Sequence, residues 1–143
     1  MCEPSMSIES LISLLLGVPI GLISGLYTGL IVARYSRFAE LRNETLRIIR
    51  RIEFMEEGPS VHITNDEELP KLHLIAGDLL FLGHKKAGEY VLELSGEMRK
   101  ANHAARNGAL DYATYSKTYE RWQAKARALP GGKKVLLSFW GRL

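Results

Sequence analysis

Three groups of side chains in this 143-residue sequence have types and spacings that can do chemistry: basic clusters, histidines and paired acids. Lys85 and Lys86 stand directly before Ala87-Gly88, at an expected helix–helix junction. Two ammonium groups beside the amides of a helix start suit a phosphate. Arg99, Lys100, His103 and Arg106 recur within two turns, and Arg121, Lys125 and Arg127 share a helix with Trp122 and three tyrosines. Basic side chains interleaved with aromatics bind nucleotides by charge and stacking. Lys85, Lys86, Arg99, Lys100, His103 and Arg106 are therefore the candidate set for a small anionic ligand. The competing account is a solvated basic face, because Tyr115, Tyr119 and Trp122 follow the four-and-three spacing of a buried helix stripe.

Other chemistry is missing. The sequence holds no GxGxxG, Walker-type loop, HExxH or GxSxG. His62, His73, His84 and His103 are scattered; on one helix His73 and His84 would stand about 16 Å apart, too far to share a metal. Glu56-Glu57 and Asp66-Glu67-Glu68 read as charges at helix ends. A single cysteine, Cys2, excludes an internal disulfide framework and any multi-cysteine zinc site. No catalytic residue, metal or cofactor is expected, and the chain is not expected to be an enzyme.

The element that positions these groups is apolar. Mean hydropathy over the chain is −0.06, yet the 24 positions from Ser10 to Ala33 carry no charge. At about 1.5 Å per residue they reach roughly 36 Å, enough to cross a hydrocarbon core of about 30 Å. A cleaved signal peptide would need a basic leader, whereas Glu3 and Glu9 are the charges that precede the run. Arg34, Arg37 and Arg42 follow it, so the positive-inside rule places the C-terminal side in the cytoplasm and the N-terminal stub, residues 1–9, outside. Tyr27 lies too deep for an interfacial belt; Tyr35 and Phe38 stand where a belt is expected. Ser13, Gly17, Gly21, Gly25, Gly29 and Ala33 are each four after the last, one slowly turning stripe that lets a neighbouring backbone approach. That is a membrane-helix packing face, for a copy of the chain or for a partner protein. Pro19 is either a hinge or a tolerated kink.

The expected architecture is all-α: a single N-terminal transmembrane helix (10–33), a juxtamembrane connector helix (34–57) and a small basic cytoplasmic helical bundle (58–143). Phe38, Leu41, Thr45, Ile48, Ile52 and Met55 keep heptad spacing along the connector, which suits a bundle of copies or one helix of an internal bundle equally. Glu56-Glu57-Gly58-Pro59-Ser60 ends that helix, and Val61–Thr64 is a short extended piece. Asn65–Pro70 reads as an N-cap with an acidic first turn. Helices then carry Leu72–Leu82, Ala87–Arg106 and, capped by Asp111, Tyr115–Leu129. The tail from Lys133 to Leu143, with Phe139, Trp140 and Arg142, packs on the bundle or rests on an anionic leaflet. Net charge is +4 over 34–52, −6 over 53–69 and +7 over 70–143.

In layout, the span at 10–33, the glycines Gly17, Gly21, Gly25 and Gly29 and the basic region 70–143 resemble the membrane-bound effectors of type III CRISPR antiviral signalling, which respond to cyclic oligoadenylate. The resemblance implies an oligomer in the bacterial inner membrane that senses a cyclic nucleotide in the cytoplasm and acts on the membrane. It carries over no binding residue. The partners expected are the lipid bilayer, further copies of the chain and a small anionic nucleotide, with no duplex nucleic acid. The alternative is a non-enzymatic membrane anchor or scaffold that docks a cytoplasmic protein; a toxin-like protein acting through its span alone is a third.

Overall fold

In the computed structural model, residues 8–138 are described, apart from the side chains of residues 9–12, 14 and 16. The stub before Ile8, with Cys2, and the tail residues Phe139, Trp140 and Arg142 lie outside the described residues. The chain is mostly helical. A single helix, α1 (Ile8–Arg50), precedes a two-stranded hairpin, β1 (Glu53–Glu57) and β2 (Ser60–Asn65), and then α2 (Lys71–Phe81), α3 (Lys85–Arg106), α4 (Tyr112–Arg127) and the short α5 (Lys133–Leu137).

From Gly17 to Leu26 every residue of α1 is exposed. Within Gly17–Arg50 the helix is long and apolar enough to cross a membrane: it holds an 18-residue window with a mean hydropathy of 1.4, of which only 6% is buried. A soluble core helix of such composition would be covered; here Leu22, Ile23, Leu26 and Val32 are all exposed. Pro19 lies inside the helix.

The lower part of α1 does the opposite. Phe38, Leu41, Thr45 and Ile48 are buried, so their heptad spacing serves this chain's own core and not a bundle of copies. Phe38, Leu41 and Ile48 meet Leu72, Ile75 and Leu79 of α2, Val91, Leu94 and Met98 of α3, and Tyr115 and Trp122 of α4 in one apolar cluster. Burying such a stripe is the main source of stability for helices that would be marginal alone.

The connector helix was expected to run to residue 57; it ends at Arg50, and Glu53–Glu57 is a strand. Met55, which extended the heptad stripe, is exposed on that strand. The physical reason is the turn: Gly58 has a φ of +60° and, with Pro59, forms the two-residue connection between the paired Glu57 and Ser60. A glycine at positive φ leads a tight hairpin turn at no steric cost. Alternation then takes over, with Val61 and Ile63 inward and His62 outward. Phe54 of β1 packs 4.8 Å from Tyr115 and 5.1 Å from Tyr119, centroid to centroid, which fixes the hairpin on α4.

The 65–70 segment also differs from expectation. Helix α2 starts at Lys71 with Pro70 as its N-cap and no acid in its first turn. Asn65 instead turns the chain by accepting from the Glu67 amide at 3.2 Å, and the acids are left outside the helix to pair with bases elsewhere. Asp111 does cap α4, accepting from the Thr114 amide at 3.0 Å, a bond that holds its carboxyl below the usual range.

Ala87-Gly88, read as part of a phosphate cradle, is a packing contact. Both are buried, and a Cβ on Gly88 would lie 2.6 Å from Leu80 Cγ and 3.0 Å from the Ala76 carbonyl oxygen. Gly88→Ala is accordingly expected to cost about 1–3 kcal/mol by overpacking, measured as a lowered melting temperature of the detergent-solubilised protein; an unchanged midpoint would show that the α2–α3 crossing can open.

Candidate functional site

The expected anion set does not converge within one copy of the chain. Lys85 and Lys86 are the first two residues of α3 and both are exposed. Arg99, Lys100, His103 and Arg106 lie in its second half; Lys86 and Arg99 are about 20 Å apart along the axis, from 1.5 Å per residue. Most of the second group is already engaged. Arg99 lies 2.8–2.9 Å from the ring nitrogens of His73. Arg106 donates to Asp66 at 2.6 Å, and His103 faces the Asn107 amide at 3.1 Å. Lys125 pairs with Glu97 at 2.7 Å and sits over Tyr90. The charge segregation seen along the chain thus partly cancels in space, because acids of the 53–69 segment fold back onto bases: Asp66 onto Arg106, and Glu68 onto Lys71 and Arg51. Tyr115 and Trp122 are fully buried and do not form a stacking platform. Among the described residues no group of three or more His, Cys, Asp or Glu side chains can hold a metal.

Sequence reasoning missed a buried polar chain behind this surface. Tyr115 donates to Asn102 Oδ1 at 2.7 Å, and Asn102 Nδ2 donates to Asp66 Oδ2 at 3.0 Å. Burial, reinforced by the Asp66 charge, pushes the Tyr115 hydroxyl pKa up, so it stays a donor. An Asn on the inner face of a helix was the one available signal.

The residues brought together most closely belong to a junction at the foot of the exposed part of α1. The Arg34 guanidinium, 4% exposed, donates through Nη1 to the carbonyls of Val135 and Ser138. Tyr27 donates its hydroxyl to the Leu137 carbonyl at 2.7 Å. Cationic donors suit the carbonyl end of a helix, and these two side chains pin α5 alongside α1. Arg34 is therefore more than a topology signal, and Tyr27, set aside as too deep, is a tail contact. Phe38 is not a belt residue either: it is buried, 4.8 Å from the His84 ring and against Gly131.

His84 ties the junction to the α2–α3 turn. It is 3% exposed, occupies the N-cap of α3, and its Nδ1 accepts from the Gly132 amide at 3.1 Å. A Cβ on Gly132 would come 3.2 Å from that nitrogen, and one on Gly83, at φ +87°, 3.3 Å from Val135. Burial lowers the His84 pKa from its ordinary 6.5. The depressed folded-state value means that stability is full above about 6.5 and is lost as pH falls towards the folded-state pKa, where it levels off. His84→Gln keeps an acceptor for Gly132 without the titration. The melting temperature of the wild type should fall between pH 7.5 and 5 more steeply than that of the variant; parallel curves would remove His84 from the acid response.

The last feature is a face. Successive helix residues are rotated by about 100°. With Gly25 as reference, Gly21 and Gly29 lie within about 40° of it, as do Ser36, Ala39, Asn43 and Arg47 further down, while Arg34, Leu41, Thr45 and Ile48 lie about 140–180° away. The second group is the buried side. The first is open: nothing lies within 4 Å of where a Cβ would stand on Gly17, Gly21, Gly25 or Gly29, and a shallow groove follows Ser36, Ala39, Glu40, Asn43, Glu44 and Arg47. The end members of the stripe, Ser13 and Ala33, are also exposed.

Comparison of the chain with known proteins gives no match to a family model, to a curated protein or to a solved structure.

Proposed function

We propose that this protein is a single-span membrane effector that self-associates through the glycine face of α1 and holds a basic, non-catalytic module on the cytoplasmic side of a bacterial inner membrane. One observation carries the reading. The domain packs on the side of α1 opposite Gly21, Gly25 and Gly29, so the small residues and the strip below them remain open together. In lipid, close backbone approach at such a face drives association. The N-terminus lies outside, because Arg34, Arg37 and Arg42 follow the apolar run. The net charge of +7 over 70–143 supports an anionic ligand, and a cyclic oligonucleotide is the class that the layout resemblance implies. Since Lys85 and Lys86 stand far from Lys100 within one copy, such a polyanion bridges copies.

Single cysteines in a Cys2→Ser background test the assembly in native membranes. Asn43→Cys, on the open face, is expected to give self-linked dimers on oxidation, and Ile23→Cys, on the far side, is not. Linkage to one foreign protein would replace the effector with a scaffold, and absence of linked species overturns the reading. For the ligand, cyclic tetra-adenylate titrated into the solubilised full-length protein should bind with an affinity that falls as salt rises; no binding at low salt removes that part.

A further inference from the structure

A groove of about 360 Å³ runs between α1 and α5, lined by Ile31, Val32, Tyr35, Lys133, Leu136 and Leu137. Its position is unusual. Ile31 and Val32 belong to the last turn of the uncharged run, and Arg34 and Tyr35 follow at once. Because Tyr27 and Arg34 hold the carbonyls of Leu137 and of Val135 and Ser138, α5 lies antiparallel to α1 with its leucines on the apolar side and Lys133 on the charged side. The groove wall is thus apolar beside the end of the uncharged run, and Lys133, whose stem contributes to it, is exposed to solvent.

We infer that this groove binds an anionic phospholipid of the cytoplasmic leaflet, with an acyl chain along Ile31, Val32, Leu136 and Leu137 and the phosphate at Lys133. Three observations choose this occupant. The groove surface is apolar and borders one exposed lysine, Lys133, which fits an amphiphile with a single anionic head. Lys134 is also exposed, and a lysine pair just cytoplasmic of a span attracts anionic headgroups. Finally, Arg34 is buried beneath α5 with its charge turned to backbone carbonyls, which leaves Lys133 to face the headgroup layer. The inference rests on α1 spanning the membrane, as proposed above.

The test uses full-length protein in nanodiscs of equal phosphatidylglycerol and phosphatidylcholine, released and weighed by native mass spectrometry, with membrane fractionation alongside. Phosphatidylglycerol should be retained in preference to phosphatidylcholine, and Lys133→Gln should lower that retention about fivefold, the contribution of one basic side chain at an anionic surface. Leu137→Asp should reduce retention of both lipids, and Lys117→Gln, exposed on α4 and off the groove, should change neither. Displacement by inorganic phosphate would make this a site for soluble anions and overturn the lipid reading. Equal retention of both lipids, or a Lys133→Gln variant like the wild type, overturns it while the span stands. Protein that fractionates as a water-soluble species overturns span and groove together.

Discussion

Gly25→Leu combined with Gly29→Leu is expected to leave the fold intact and to remove the proposed self-association. Neither glycine has a neighbour within 4 Å in one copy, so both leucines enter open space. Leucine is the better helix former and the more apolar residue, and insertion into a membrane is not impaired. What the variant loses is the close approach of a second backbone, on which association in lipid depends. Linked dimer formed through Asn43→Cys should fall by more than about tenfold, which a loss of roughly 1.4 kcal/mol in packing is enough to produce. The control is Ile23→Leu on the far side, with no expected effect. An undiminished dimer in the double variant would show that the glycines are only tolerated residues of a lone helix.

The second large effect is expected in the core of the helical domain. Asn102→Leu removes the residue that joins Tyr115 to Asp66. Tyr115 is fully buried, and its raised pKa keeps the proton on the hydroxyl, so the variant leaves a donor with no acceptor at that position. A stranded buried polar group costs about 1–3 kcal/mol, and the branched leucine adds strain in a packed interior. A total of about 2–4 kcal/mol is expected, read as a lower denaturation midpoint. Tyr115→Phe, which removes the donor and leaves an amide oxygen near the partly exposed Asp66, should cost less. The reverse order would mean that the Tyr115 ring position, and not the polar chain, holds α3 to α4.

Much of the helical layout was legible because it depends on local signals. The expected helix ends at Leu82 and Arg106 and the Asp111 cap each act through the backbone of a few residues, and the structure places element ends at or beside them. Tyr115 and Trp122 followed core spacing and are core. The hairpin was missed because Met55 fits a heptad as well as a strand, and only the pairing of Glu57 with Ser60 decides between them. The candidate site was legible only as residue types. Whether Arg99 or Arg106 is available to a ligand depends on His73 and Asp66, which are 26 and 40 positions away in sequence. The α5 junction was invisible for the same reason: Tyr27 meets Leu137 across 110 positions.

Helix α1 runs for 43 residues, about 65 Å at 1.5 Å per residue, from the apolar segment into the centre of the core. No loop separates the two ends, so with α1 spanning a membrane as proposed, a turn of the rod in the bilayer is also a turn of the domain fixed to it. If neighbouring rods slid by one glycine along the stripe, each would rotate by about 40°, and the hairpin tip and basic helices would sweep through the same angle around the axis. A clamp that held the domains of adjacent copies at a fixed angle would in turn dictate which glycines meet inside the membrane.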